Sequence, residues 1–156
     1  MNDRWPIFGG YFAVLVFWHF FADWLFQSHD EAMRKSHHWQ TRFTHCLTYT
    51  IFFIPLMGFW GFTKTEAAIC GSILFWSHFY EDTYIPVLLW VKHVRNPPEF
   101  RQIDDDGKRV YTDIEAFKKW ITSPIGAIIM IVVDQLVHIL FLMPTAYYAS
   151  KPVHPW

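Results

Sequence analysis

Charge is what this sequence has least of. Asp, Glu, Lys and Arg make up 17% of its 156 residues, where a soluble domain averages about 25%. Neither sign is in excess: the net charge is -1 with histidines neutral. The basic footprint of a nucleic-acid binder is therefore missing, and no nucleic-acid partner is expected. Cysteine is scarce as well. Cys46 and Cys70 both fall inside apolar runs, and two such thiols make no disulfide framework. There is no internal repeat of fixed period, and no stripe of small residues that decides for or against a homo-oligomer. What the chain has in abundance is apolar: 53% hydrophobic residues and 21% aromatic ones, with 16 Phe and 9 Trp. That composition excludes a disordered chain. It also exceeds what so small a protein can hide from water by itself. The mean hydropathy of +0.12 is modest, because long apolar runs alternate with one concentrated polar stretch. The length fits a single domain over 1–156.

A membrane-spanning helix needs about 20 mostly apolar residues. Four segments meet that need, at about 6–27, 43–62, 66–91 and 123–148. The expected fold is all-α, a four-helix transmembrane bundle. Ser123-Pro124 supplies an N-cap and a proline at the first helical position. Pro86 and Pro144 fall near the ends of the third and fourth runs, where each kinks its helix or ends it early. Trp5, Trp39, Trp60, Trp90 and Trp120 stand near run ends, the place of interfacial aromatic belts. The first run has only Arg4 as a basic flank and carries polar residues inside, so it reads as a retained helix and not a secretory signal. Ten of the thirteen Lys and Arg lie in 28–42 and 92–122. The positive-inside rule then puts both termini outside and both larger loops in the cytoplasm. Within the 92–122 loop, Asp106-Gly107 is a hairpin turn signal, and Thr112 with Glu115 forms a capping box ahead of Ile114, Phe117 and Trp120. This loop is expected to carry a small hairpin, an amphipathic helix at the interface with Lys118 and Lys119 toward headgroups, or both. A solvated linker is the plainer alternative.

Ionisable groups inside a span are costly, and by default they mark a functional site. His19, Asp23 and Gln27 follow one another at intervals of four in the first run; His78 and Asp82 are four apart in the third; Asp134 and His138 are four apart in the fourth; His45 opens the second. A spacing of four puts each pair on one helix face. Imidazole with carboxylate suits zinc, iron or manganese, and helical bundles build such sites from inward-facing residues. His19, Asp23, His45, His78, Asp82, Asp134 and His138 are thus the candidate ligands of one or two divalent ions, zinc first and iron or manganese as alternatives. Glu81 is either a general base or a carboxylate facing headgroups. His154, in the C-terminal tail, reads as solvated. Cys46 reads as a small packing residue, and Arg34, Lys35 and Arg42 as topology signals or as groups that steer an anion. Depth tests the idea. At about 1.5 Å per residue, Asp134 lies roughly 16 Å beyond Ser123, about two turns deeper than the other ligands.

This ordered pattern, His19-x3-Asp23-x3-Gln27 with Lys35, His45, His78-x3-Asp82 and Asp134-Gln135-x2-His138, resembles the membrane family filed as domain of unknown function 3307. That resemblance covers about residues 12–145 and implies a bacterial or phage-encoded protein of the inner membrane, with no activity to carry over. More distantly the pattern is similar to bacterial membrane-bound metal-dependent hydrolases, which in turn suggest the all-helical zinc phospholipase C group. The 92–122 loop has no counterpart in the family pattern.

The function expected from these readings is hydrolysis of a phosphoester or lipid-linked substrate by metal-activated water, with membrane lipids as the surroundings. Two alternatives belong to other classes. One is a proton or divalent-cation pathway, which needs a polar path to both faces. The other is a non-enzymatic membrane interaction protein, bacterial or phage-encoded, with a structural His–Asp network, in which the 92–122 loop would matter most.

Overall fold

Helix signals dominate the chain, and a computed structural model, which describes residues 4–151, is helical almost throughout. His154 lies outside the described residues, as does the side chain of Trp5. The elements are α1 (Arg4–Trp24), α2 (His29–Arg34), α3 (Trp39–Phe59), α4 (Lys64–Glu81), α5 (Ile85–Trp90), α6 (Asp113–Ile121), α7 (Pro124–Leu140) and α8 (Met143–Ala149). A π-helical turn, Val91–Arg95, prolongs α5, and a 3-10 turn, Pro98–Phe100, follows it. α1 packs on α3 and α8, α3 on α4, and α4 on both α7 and α8, which closes a four-column bundle.

Local chemistry sets the starts and stops. Capping boxes open α2 at Ser28 with Glu31, α4 at Thr63 with Glu66 and α6 at Thr112 with Glu115. At each, the cap hydroxyl accepts from a backbone N–H that the first turn leaves orphaned. Ser123 Oγ accepts from Gly126 N at 3.0 Å to open α7. The apolar run at 66–91 does not form one helix. It ends at Glu81, turns through Asp82, Thr83 and Tyr84, and restarts at Ile85 with Pro86 in the first turn. Pro86 has no N–H to continue the i→i−4 ladder, and Tyr84 takes a left-handed φ of 59° to make the corner. The run at 123–148 breaks in the same way: α7 ends at Leu140 and α8 begins just ahead of Pro144.

Two separate cores result. Leu15, Phe53, Met57, Leu74, Leu142 and Ala146 fill the bundle. Val87, Val91, Phe100, Ala116, Phe117 and Trp120 form a second cluster, against which Ile129, Met130 and Val133 of α7 pack. The first half of α7 thus belongs to a layer made with α5 and α6, and only its second half enters the bundle. The 92–122 loop contributes Phe100 and α6 to this layer. Its hairpin reduces to one antiparallel bridge between Ile103 and Arg109, with Gly107 at φ 78°, and no strand occurs among the described residues. α6 is amphipathic as expected, but its apolar face lies on protein. Trp120, expected in an interfacial belt, is buried there, and Lys119 Nζ donates to Tyr111 OH at 2.7 Å.

The outer faces of the columns are apolar. Phe17, Ile51, Phe59, Trp76, Ile128 and Leu136 are all exposed. Among the described residues two helical stretches, Pro6–Trp24 and Pro124–Ala149, are long and apolar enough to cross a membrane.

Candidate metal centre

Polar side chains collect at one end of the bundle, where α1 finishes, α3 starts and α4 turns into α5. α1 contributes His19 and Asp23, α3 contributes His45, Cys46 and Tyr49, and α4 contributes His78, Glu81 and, at its C-cap, Asp82. α7 brings Gln135 and His138 from the fourth column. The segment between α2 and α3 brings Lys35. Asp23, Lys35, His45, His78, Glu81, Asp82 and His138 are all buried.

Three lone-pair atoms meet at the centre. Asp23 Oδ1 lies 3.0 Å from His45 Nε2 and 3.6 Å from His78 Nε2, and the two imidazole Nε2 atoms are 2.9 Å apart. A zinc-like ion bonded at about 2.0–2.1 Å in tetrahedral geometry sets its donor atoms about 3.3 Å apart, so this triangle has the size that such an ion needs. Asp82 adjoins it, with Oδ2 at 3.4 Å from His78 Nε2 and 3.6 Å from His45 Nε2. Cys46 Sγ is 3.9 Å from the same oxygen. On the far side of Asp82, His138 Nε2 stands 3.3 Å from Glu81 Oε2 and 3.8 Å from Asp82 Oδ1. Three groupings could hold a metal ion: Asp23 with His45 and His78, Cys46 with His78 and Asp82, and His78 with Glu81 and His138.

The neighbours fix tautomers. His138 Nδ1 donates to the backbone carbonyl of Asp134 at 2.8 Å, which leaves Nε2 with its lone pair toward Glu81 and Asp82. A buried imidazole held this way is the usual form of a metal-ligating histidine. His19 Nε2 donates to Gln135 Oε1 and His19 Nδ1 accepts from Tyr49 OH, each at 3.0 Å. Tyr49 also stacks on His78, with ring centroids 4.0 Å apart.

Of the seven ligands expected from the sequence, Asp23, His45, His78, Asp82 and His138 come together, and Glu81 joins them as a buried group. His19 stands one layer back with both nitrogens engaged. Asp134 stands behind His138, its Oδ2 3.9 Å from His138 Nδ1. The depth mismatch of the fourth pair disappears because α7 first crosses the α5–α6 layer. Gln27 lies beyond the end of α1, its Nε2 buried without a hydrogen-bond partner.

Lys35 is the residue whose place the sequence hides. It reads there as a topology signal or as a group that steers an anion, and it is only 7% exposed. Its Nζ lies 2.9 Å from Asp82 Oδ1, 3.6 Å from Asp23 Oδ1 and 3.5 Å from His45 Nε2. Burial by itself pushes the ammonium's pKa down, but Asp82 and Asp23 outweigh it and hold the pKa above the ordinary lysine value. A basic residue two turns before the next helix gives the same sequence signal whether it faces lipid headgroups or folds inward. Tyr49 also escapes a reading by charge, although it sits four residues after His45 on the same face of α3.

Neither a curated protein nor a solved structure matches this chain. The ordered His, Asp and Gln positions nonetheless lie within a stretch, residues 11–155, that matches one family nearly end to end, and the chain belongs to that family, described as "Protein of unknown function (DUF3307)".

Proposed function

We propose that this protein is an integral membrane hydrolase that uses a divalent ion, zinc first, to cleave a phosphoester, in particular one carried by a lipid. The observation that carries the reading is the convergence of His45, His78 and His138 Nε2 with Asp23, Glu81 and Asp82, buried at one end of the bundle. A divalent ion supplies a water of lowered pKa and polarises the phosphoryl oxygen. The chain's own groups divide the remaining work. Asp23, His45 and His78 bind the ion. His138, oriented by the Asp134 carbonyl, and Asp82 shape the second side of the site. Glu81 Oε1 is buried without a hydrogen-bond partner, which suits a carboxylate that takes a proton from the attacking water. The apolar outer faces of α1, α3, α4 and α7 support a four-span bundle, with the Lys- and Arg-rich segments on the cytoplasmic side. The distant likeness to membrane-bound metal-dependent hydrolases agrees with this chemistry but carries none of it.

A second reading has one observation in its favour. Lys35 is a buried cation between two carboxylates, and such a pairing lowers the cost of a purely structural network. A transmembrane ion path is less well supported, because Leu15, Phe53, Met57 and Leu74 form a buried apolar layer in the bundle beyond the cluster. The deciding experiment is elemental analysis of protein purified in detergent without chelators, beside His78→Ala and His138→Ala, followed by phosphodiester hydrolysis with each sample. About one or two ions per chain in the wild type, with loss of ion and hydrolysis in His78→Ala, is the expected result. A metal-free wild type that keeps its fold would leave the structural network standing instead.

A further inference from the structure

Buried carboxylates outnumber buried ammonium groups at the site. Asp23, Glu81 and Asp82 are each at most 2% exposed. Against these carboxylates stands one buried ammonium, that of Lys35. Ionised carboxylates sealed from water need compensation nearby. With all three ionised, one divalent ion added to Lys35 balances them, and a second overshoots. Asp134 does not enter this balance directly, because its side chain is 14% exposed and lies behind His138.

Position agrees with charge. Asp82 divides its two oxygens: Oδ2 faces His78 and His45, and Oδ1 faces Lys35 Nζ at 2.9 Å. Asp23 Oδ1 likewise faces His45 and His78 on one side and Lys35 on the other. A carboxylate shared in this way between two positive centres is the arrangement of a two-metal site, whose ions stand about 3.5–4 Å apart and clamp a phosphoryl group between them. Here the second centre is an ammonium.

Resting on the hydrolase reading, we propose that Lys35 fills the second cation position: one divalent ion binds at Asp23, His45 and His78, and the ammonium beside it binds an anionic oxygen of the substrate. The ammonium carries three donors; among the described residues Asp82 Oδ1 is its partner within 3 Å, with His45 Nε2 at 3.5 Å. Arg42 adds a second cation at this end. It lies one turn before His45, its Nη1 donates to the Ser36 carbonyl at 3.4 Å, and its buried Nε has no hydrogen-bond partner. The ligand chemistry is therefore a phosphate-like anion, free or as a lipid headgroup.

The test counts ions and measures anion binding, neither of which needs the substrate. Zinc is titrated into the full chain in phosphatidylcholine nanodiscs, and zinc per chain and the affinity for inorganic phosphate are measured for wild type, Lys35→Met and Lys35→Arg. The expected result is one zinc per chain in the wild type, phosphate binding weakened about tenfold or more in Lys35→Met, and partial recovery in Lys35→Arg. Nanodiscs containing phosphatidic acid separate the sources: lost phosphate binding there assigns the site to the headgroup, and retained binding assigns it to the free anion. Two zinc per chain in the wild type overturns the proposal and leaves the hydrolase reading intact. So does equal phosphate affinity in wild type and Lys35→Met. No zinc at all overturns both. If Lys35→Met does not fold, Lys35→Arg with its zinc count still decides.

Discussion

A histidine buried in this bundle can act in two ways, and the partners of its ring nitrogens separate them. His138 has one nitrogen tied to a carbonyl and one facing Glu81 and Asp82; His19 has both engaged, by Tyr49 and Gln135. In the proposed centre His19 is a positioning residue, although its spacing from Asp23 matches that of His78 from Asp82. Tyr49→Phe tests this. Phenylalanine keeps the stack on His78 but strands His19 Nδ1, and an unsatisfied buried polar atom costs about 1–3 kcal/mol. The melting temperature is expected to fall while zinc at saturation stays at the wild-type count per chain. A zinc count of zero in a folded Tyr49→Phe would make His19 a ligand. Spacing in the sequence tells which groups share a helix face, and it brings Asp23, His78, Asp82 and His138 into view. It says nothing about what stands across the interface. That is why the sequence leaves Lys35 between two roles and Tyr49 unmarked, and why it does not separate His19 and Asp134 from the residues that cluster.

At the level of helices, breaks matter more than lengths. Apolar runs at 66–91 and 123–148 mark buried or lipid-facing chain, and both do contain helix, but hydropathy cannot see a corner. The corners at Tyr84 and Phe141 depend on Pro86 and Pro144, both legible in advance. Their effect is not, because only the split of α4 from α5 frees Asp82 to cap α4 and face Lys35. The polar loop is legible in its hairpin turn and its capping box, and opaque in what the α6 apolar face covers. Asp113 holds this layer together at its edge: Lys92 Nζ and Arg109 Nη2 each donate to it at 2.7 Å. Those hydrogen bonds hold the Asp113 carboxyl below its ordinary value. A depressed carboxylate stabilises the fold above its unfolded pKa of about 3.9, and that contribution is lost as pH falls through the lower folded value. Both partners are partly exposed, so the effect is small, under about 1 kcal/mol. The melting-temperature gap between wild type and Asp113→Asn should be present near neutral pH and shrink as pH falls below the unfolded value of about 3.9. A gap that widens on acidification would contradict the sign.

For the molecule as a whole, the site lies at one end and the question is which face of a membrane it serves. α4 runs from Lys64 to Glu81, a rise of about 27 Å, close to the roughly 30 Å of a hydrocarbon core. In the proposed four-span bundle the turn at 60–63 and the cluster around Asp82 would sit near opposite boundaries, with the 92–122 layer beyond the cluster on its side. In the proposed hydrolase, substrate would reach the cluster from the face that carries most Lys and Arg, without crossing the apolar layer of Phe53 and Met57. Thiol labelling reads this directly, since Cys46 and Cys70 are free but buried and contribute little background. In intact spheroplasts a membrane-impermeant maleimide is expected to label Lys64→Cys and spare Asp105→Cys; in inside-out vesicles the pattern should reverse. Labelling of both positions from one side would put the two ends of α4 in the same compartment. The apolar outer faces would then need another cover than lipid, and the site would lose its membrane setting while keeping its ligands.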